Sequence, residues 1–299
     1  MKRTRNQNDR DGNDQSRSPA TVLDTRYFET ETLPLHYDHD LETTMERLAV
    51  MEKKQSIYYD HYDEFRKAPP NSNLKKWRTS ILEWYFEVVD HVQRDRAVAI
   101  LAINYMDRFM AAKFGVGGSA AKEVSKDIYH LAAMTSLMLA SKLYLTTRFD
   151  RRCHISTNYV LSVSGGNYTK KQVEEMESEM LFALNWLVHP PIHPEFIEQF
   201  FHLMPRWADD HDTRFQIFEH ARYAAELVVL SRVGKPAKMA YACILTASKS
   251  LPRSVRAAFV RNVAVAMDTT PDDVLREREF VTDLMRSVLT SAVAEDVPP

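Results

Sequence analysis

The segment 128-IYHLAAMTSLMLASKLYL-145 decides the fold, because it is apolar nearly all the way round a helix. A helix of this kind lies in the middle of a bundle. A second small and apolar helix is predicted over 236–250, and both helices carry the ending Ala-Ser-Lys, at 140–142 and 247–249. Each of them is the third in a run of five predicted helices. The order of helices therefore predicts two similar bundles.

The rest of the pattern is also helical. Thr169 is followed three residues later by Gln172, which predicts a capping box at the start of a helix. Three prolines in His189-Pro-Pro-Ile-His-Pro194 exclude a continuous helix and indicate a linker. Helical spacing of apolar residues predicts helices over 41–66, 74–91, 94–113, 125–145, 156–163, 170–187, 194–203, 213–231, 236–250, 252–267 and 271–290. The predicted fold class is all-α: tandem five-helix bundles preceded by an N-terminal helix.

These patterns divide the chain of 299 residues into four parts. Residues 1–20 hold almost no apolar side chain and cannot bury enough surface to order themselves. We predict a disordered tail over 1–36, an N-terminal helix and first bundle over 37–190, a second bundle over 191–290, and a disordered C-terminal tail over 291–299.

Composition argues against several function classes. The formal net charge of −2 speaks against a nucleic-acid-binding protein, and two cysteines support neither a disulfide framework nor a zinc site. The apolar runs are too short to span a bilayer, and no signal peptide is visible. No phosphate-binding glycine loop and no nucleophile–base or HExxH motif occurs. We expect no cofactor, no enzymatic activity, no membrane or nucleic-acid partner, and a location in the nucleus and cytoplasm.

Four motifs carry a resemblance: WRTSILEW at 77–84, NYMDRFM at 104–110, LASK at 139–142 and YTKKQVEEMESEML at 168–181. The stretch 77–189 closely resembles the first cyclin box of cyclins, nearest to the mitotic A and B types. Five positions typical of that box match residues of this chain: Arg78, Asp107, Leu131, Lys142 and Glu177. Residues 195–290 resemble the second cyclin box mainly in helix order.

The resemblance implies a regulatory subunit that binds and allosterically activates a cyclin-dependent serine/threonine protein kinase to control cell-cycle progression. It implies that Lys142 and Glu177 bind the kinase beside its mobile helix, and that Leu143, Leu181 and Trp186 line the same interface. The alternative is structural. Lys142 and Glu177 would then form a salt bridge at the edge of the bundle, and the three apolar residues would be core.

The resemblance also implies a substrate-docking patch for kinase substrates or inhibitors. The residues concerned are Trp77, Ile81, Trp84 and the acidic Glu87. Ser80 stands where the family has an apolar residue, and Trp77 replaces a methionine. These two departures predict a groove of altered shape.

Arg78 and Asp107 lie on helices whose inner faces are otherwise apolar. Because a buried charge is tolerated only when it is paired, we predict a structural ion pair between them. Two other functions stay open: a transcription-associated cyclin with a different kinase, and a transcription-factor-B-like core, which shares the twin five-helix fold and binds DNA. The motifs YTKKQV and MDRF favour the cell-cycle group, and the slightly acidic charge disfavours the DNA-binding core.

Overall fold

The computed structural model describes residues 41–59, 73–114, 124–147, 155–205, 211–231 and 234–295. The predicted N-terminal tail and the predicted helical residues 60–66 lie outside these ranges. Within them the chain forms α-helices, two short 3-10 turns and no strand. The helices are α1 (Leu41–Tyr59), α2 (Asn73–His91), α3 (Ala97–Phe114), α4 (Lys126–Thr147), α5 (Thr157–Val163), α6 (Lys170–Ala183), α7 (His193–His202), α8 (His211–Ser231), α9 (Pro236–Ala247), α10 (Arg253–Met267) and α11 (Leu275–Glu295). The all-α prediction is confirmed.

The first bundle is built around α4, which packs against α3, α5 and α6. Small residues on α4 allow this close approach, since Ala132, Ala133 and Ala140 are fully buried. The capping box at the start of α6 is present: the Thr169 hydroxyl accepts from the Gln172 backbone, and the Gln172 side chain accepts from the Thr169 backbone. The predicted central position of the helix that ends in Ala-Ser-Lys is therefore confirmed for this bundle.

The second bundle repeats the arrangement around α9, which packs against α7, α8 and α11. Ala240, Ala242 and Cys243 on α9 are fully buried. The Tyr241 ring fills the space beside them and lies 5.6 Å from the ring of Phe200 and 5.9 Å from that of Phe259. The predicted central position of 236–250 is confirmed, with the last turn, Ser248–Ser250, in 3-10 form.

Helix α1 packs on the second bundle, against α7, α9 and α10. Its Leu48 is fully buried in the second core. The buried side chain of Gln55 accepts a hydrogen bond of 2.8 Å from the backbone N–H of Ala237, at the start of α9. The sequence grouped this helix with the first bundle, because an amphipathic pattern shows that one face is buried without showing what covers it.

Charged side chains also join the two bundles. Asp95, just before α3, accepts hydrogen bonds from Arg222 on α8 at 2.9 Å and from the Tyr144 hydroxyl on α4 at 3.0 Å. Arg96 donates to Glu226 on α8 at 2.7 Å. Both arginines also lie over phenylalanine rings. The first bundle is thereby held against α8 by charge-assisted hydrogen bonds, which are stronger than neutral ones.

Two of the predicted helix C-termini differ from the structure by four or five residues. Helix α11 runs to Glu295, so the residues 291–295 of the predicted C-terminal tail are helical; residues 296–299 lie outside the described ranges. Helix α6 ends at Ala183, before the predicted end at 187. The cause is local, because Asn185 and Trp186 have φ values of 52° and 59°, in the left-handed region that ends a helix.

Candidate functional site

The predicted ion pair between Arg78 and Asp107 is present and buried. The Arg78 guanidinium, on α2, donates from Nε at 3.0 Å and from Nη2 at 3.0 Å to the two carboxylate oxygens of Asp107 on α3. Both side chains are less than a tenth exposed. Burial raises the pKa of Asp107, and the positive charge of Arg78 opposes that shift. The forked geometry is the one in which a buried pair best offsets the cost of losing water.

The turn after α6 is held in place by side chains of α3. Arg108 donates to the carbonyl oxygens of Leu187, at 2.8 Å, and of Leu184, at 3.4 Å. Tyr105 donates a hydrogen bond to the carbonyl oxygen of Val188. These contacts give side-chain donors to backbone carbonyl groups in and after the turn that follows α6. The segment NYMDRFM therefore fixes the position of Trp186, which lies within this turn.

Lys142 and Glu177 form an ion pair between the end of α4 and the middle of α6. The ammonium group of Lys142 lies 2.9 Å and 3.0 Å from the two carboxylate oxygens of Glu177. The side chains are 35% and 21% exposed, so solvent reaches the pair. The structural alternative, a salt bridge at the edge of the bundle, describes this contact. The pair also presents both charges at the surface, where a partner can reach them.

Four hydrophobic residues continue this surface along α4 and α6. Leu143 and Leu181 are half-buried and pack on the first core. Trp186 is 60% exposed and Phe182 is 69% exposed. Their rings meet edge to face, with centroids 5.8 Å apart, and the backbone N–H of Trp186 donates to the Leu181 carbonyl at 3.0 Å. We call Lys142, Leu143, Glu177, Leu181, Phe182 and Trp186 the docking rim.

Phe182 is the member of the docking rim that the sequence analysis did not single out. It lies on an amphipathic helix among buried residues such as Met180 and Leu184, and a phenylalanine in that setting is normally assigned to the core. The helical spacing could have shown that Phe182 does not face the core, since it is two residues from each of these buried neighbours. Neighbours at that spacing point to a different side of a helix.

The family comparison decides the assignment of the first bundle and of the helix before it. Residues 46–189 match the family described as "Cyclin, N-terminal domain". This part of the chain belongs to the cyclin family.

Curated relatives and a solved structure agree with this assignment. The G2/mitotic-specific cyclin-2 of Antirrhinum majus is 24% identical over 170 residues, and the G1/S-specific cyclin-E of Hemicentrotus pulcherrimus is 29% identical over 172. The alignments cover 54% and 58% of this chain but only 35% of either relative. The X-ray structure of a viral cyclin from herpesvirus saimiri matches with a TM-score of 0.57 at 15% identity, covering 83% of this chain and 97% of that one. The tandem arrangement of bundles is thus a known cyclin fold.

In this cyclin the predicted substrate-docking patch is spread along one side of α2. Trp77, Ile81 and Trp84 are half-buried and pack on the first core. The Trp77 ring lies 5.3 Å from that of Tyr129, on α4. Glu87 is exposed, as is Ser80. The structure thus brings the four predicted residues onto one helix with an exposed acidic group near its end.

Within the described ranges, no three metal-binding side chains of the His, Cys, Asp or Glu type come together. No helix among those described is long and apolar enough to cross a bilayer.

Proposed function

We propose that this cyclin binds a cyclin-dependent serine/threonine protein kinase through the docking rim and activates it allosterically, as a non-enzymatic regulatory subunit in cell-cycle control. One observation carries the proposal: an exposed aromatic pair, Phe182 and Trp186, lies at the C-terminal end of α6, the helix that contributes Glu177 to a solvent-accessible ion pair on the bundle that matches the cyclin N-terminal domain. The names of the relatives, which include both mitotic and G1/S cyclins, support the cell-cycle role.

Exposed aromatic side chains at this position favour binding to another protein. Water contact with apolar surface is unfavourable by about 25 cal/mol per Å², and Phe and Trp each offer a large area for burial. Tryptophan is also enriched among the residues that dominate interface energies. A rim with two aromatic rings beside one lysine and one glutamate provides both apolar contact and hydrogen-bonding groups that fix orientation.

The mechanism requires no reacting group on the cyclin. A partner that binds only the active conformer of a kinase shifts the population toward that conformer. The rigid helix ends of the docking rim suit this role, because Arg108 and Tyr105 hold the Trp186 turn and the salt bridge ties α4 to α6. The cyclin then contributes binding energy, and the kinase contributes all of the chemistry.

Two further assignments accompany this proposal. Kinase substrates or inhibitors would dock on the α2 patch of Trp77, Ile81, Trp84 and Glu87, with Ser80 reducing its apolar area. The protein would act in the nucleus and cytoplasm, where kinases of this class meet their substrates.

The test is affinity purification of the tagged cyclin from dividing cells, with the kinase identified by mass spectrometry. The double variant Lys142→Ala with Glu177→Ala removes both charges of the docking rim together. Truncating a charged group in an interface costs about 2–4 kcal/mol, so kinase binding should fall by at least about 30-fold. Phosphorylation of a histone substrate by the purified complex should fall with it.

A matched control is available on the same helix. Lys171 pairs with Glu175 on α6 at 3.5 Å, and both side chains are exposed. This pair lies in the first turns of α6, and Glu175 is two residues from Glu177, so it points to another side of the helix. The double variant Lys171→Ala with Glu175→Ala should retain kinase binding. Equal kinase recovery by both double variants, with melting unchanged, would reject the docking rim as the binding surface.

The identity of the kinase separates the remaining functions. A kinase of the cell-cycle group supports the proposal. A kinase that phosphorylates RNA polymerase would indicate a transcription-associated cyclin. Recovery of promoter DNA without a kinase would indicate a transcription-factor-B-like core.

A further inference from the structure

The two bundles can be compared residue by residue, because the helices α6 and α11 are preceded by equivalent caps. The backbone N–H of Thr169 donates to Oε1 of Gln172 at 2.8 Å, and the backbone N–H of Thr270 donates to Oδ2 of Asp273 at 2.8 Å. Fully buried residues follow each cap in the same register: Val173 and Met180 after Thr169, and Val274 and Val281 after Thr270. The caps therefore set the alignment of the two segments.

In this alignment the residue equivalent to Glu177 is Arg278, since each is eight positions after its cap. The residue equivalent to Lys142 is Lys249, the lysine of the second Ala-Ser-Lys. The first bundle thus has a lysine and a glutamate at this place, and the second has two cations. Arg286 adds a third cation on α11. We call Lys249, Arg278 and Arg286 the cationic rim.

The charges of the cationic rim are incompletely neutralised. The pKa of Lys249 is lowered by partial burial and by the positive charges of Arg278 and Arg286. Within the described ranges neither Lys249 nor Arg278 lies within 4 Å of a carboxylate oxygen, and Lys249 donates instead to the hydroxyl of Thr282 at 3.1 Å. Arg286 pairs with Asp283 of its own helix at 2.9 Å.

An unpaired hydroxyl also lies on α9, the helix that precedes Lys249. The hydroxyl of Tyr241 is buried, with the residue only 1% exposed, and finds no hydrogen-bond partner among the described residues. Burial raises the pKa of Tyr241 to about 12, and the positive charge of Arg278 opposes the shift. A buried hydroxyl without a partner is uncommon in proteins.

We propose that the cationic rim binds the phosphate group of a phosphorylated serine or threonine on a partner polypeptide. A phosphate monoester carries nearly two negative charges at neutral pH and three acceptor oxygens, which match a cluster of one lysine and two arginines. A phosphopeptide fits better than a nucleic acid. Glu277, Glu279 and Asp283 alternate with the arginines along α11, so an extended polyanion would meet repulsion on either side of a single phosphate.

The test uses the ¹⁵N-labelled full chain and the peptide Gly-Ala-Ala-Ser-Ala-Ala-Gly, phosphorylated or not at its serine. Binding of the phosphorylated peptide should move the NMR signals of the Arg278 side chain and the Thr282 amide in a saturable manner. Arg278→Glu should weaken this binding at least tenfold, since a charge-assisted hydrogen bond contributes about one such factor or more. Arg276→Glu makes the same charge change on another side of α11 and should alter the affinity less than twofold.

Two design features keep the result interpretable. Arg278→Glu places a carboxylate opposite Lys249, as in the first bundle, so the variant should melt no earlier than the unaltered protein. Lys249→Gln is a second variant that removes charge without reversing it, and it should also weaken binding. Both variants should purify with the kinase as the unaltered chain does, so failure of this proposal and failure of the kinase proposal are separately visible.

Five outcomes overturn the proposal. Four of them are an equal response to the unphosphorylated peptide, no saturable response to the phosphorylated one, an equal loss in Arg276→Glu, and tighter binding of a twelve-nucleotide single-stranded DNA at the same signals. The fifth concerns inorganic phosphate, which is titrated in the same way. Saturation by phosphate at lower concentration than by the phosphopeptide would identify a free-ion site and would likewise overturn the assignment to a polypeptide.

Discussion

Arg78 is bonded to the carbonyl oxygen of Val229: its Nη1 donates at 2.9 Å across the boundary between the two bundles. The same guanidinium is forked onto Asp107 within the first bundle. Val229 lies in the last turn of α8, where carbonyl groups lack helical partners and carry partial negative charge. The Arg78 side chain therefore forms an ion pair with Asp107 and also donates a hydrogen bond to a carbonyl group at the C-terminal end of a distant helix.

The variant Arg78→Ala should be strongly destabilised, because it leaves the Asp107 carboxylate buried without a counter-charge and the Val229 carbonyl without this donor. Loss of one member of a buried pair costs about 3–5 kcal/mol. Chemical denaturation with circular dichroism measures the change. Arg78→Lys keeps the charge but lacks the fork, so its loss should be intermediate. A melting midpoint of Arg78→Ala within two degrees of the unaltered chain would contradict the structural role of this pair.

His193, at the start of α7, should make the folded state sensitive to acid. Both ring nitrogens are buried without a hydrogen-bond partner in the described residues, and burial together with the charge of Arg78 lowers the pKa of His193 to about 4. The unfolded chain binds this proton near pH 6.5, whereas the folded chain binds it only near pH 4. The contribution of His193 to stability is therefore unchanged above pH 7 and falls as pH drops from about 6.5 to 4, by up to about 3 kcal/mol.

The variant His193→Leu tests this pH dependence. It removes the titrating ring and its two nitrogens, so the free energy of unfolding should fall less steeply between pH 7 and pH 5 than in the unaltered chain. Denaturant titrations at several pH values provide the comparison, and His202→Leu, at a half-buried position at the other end of the same helix, serves as the control. Parallel pH profiles for His193→Leu and the unaltered chain would show that another group governs the acid response.

The salt bridge of the docking rim should contribute little to folding. Lys142 and Glu177 are partly exposed, and pairs in that setting contribute about 0–1 kcal/mol. The double variant Lys142→Ala with Glu177→Ala should therefore melt within about 3 °C of the unaltered chain. Thermal melting on the preparation used for kinase purification measures it. A larger drop would assign the pair to the support of the bundle.

Gln55 should be important for attaching α1. Its side-chain oxygen accepts from the backbone N–H of Ala237 in a buried setting, so Gln55→Met leaves that N–H without a partner at a cost of about 1–3 kcal/mol. Gln55→Glu keeps the acceptor at the N-terminus of α9 and should be milder. Limited proteolysis measures the release of α1, which should be faster in Gln55→Met. Equal cleavage rates in both variants would show that apolar packing alone holds the helix.

Short-range features of the fold were predictable from the sequence. Long-range contacts were predictable only where a charged residue lay on an apolar helix and therefore needed a counter-charge. The capping box of Thr169 and Gln172 follows from local spacing. Arg78 and Asp107 were paired correctly because each is a charge on an apolar helix. The third bond of Arg78, to Val229, was not predictable, since a backbone carbonyl has no signature in the sequence.

The docking rim was predictable in part for a similar reason. Lys142 and Glu177 stand out by motif, and the structure brings them together. Trp186 was placed at the rim, but its exposure depends on the left-handed turn at Asn185 and Trp186, which lacks the glycine that usually marks such a turn. Phe182 was missed because helical periodicity gives the direction of a side chain and does not show what lies in that direction.

The packing of α1 has a consequence for biosynthesis. Its Leu48 is buried among residues of the second core, such as Phe200, Tyr241 and Phe259, which the ribosome makes much later than α1. Helix α1 must therefore wait, with its apolar face uncovered, until α7, α9 and α10 have been synthesised. Contacts between residues so far apart slow folding, and exposed apolar surface invites aggregation or capture by chaperones during the wait. The order of translation thus delays the burial of α1 until most of the second bundle has been made.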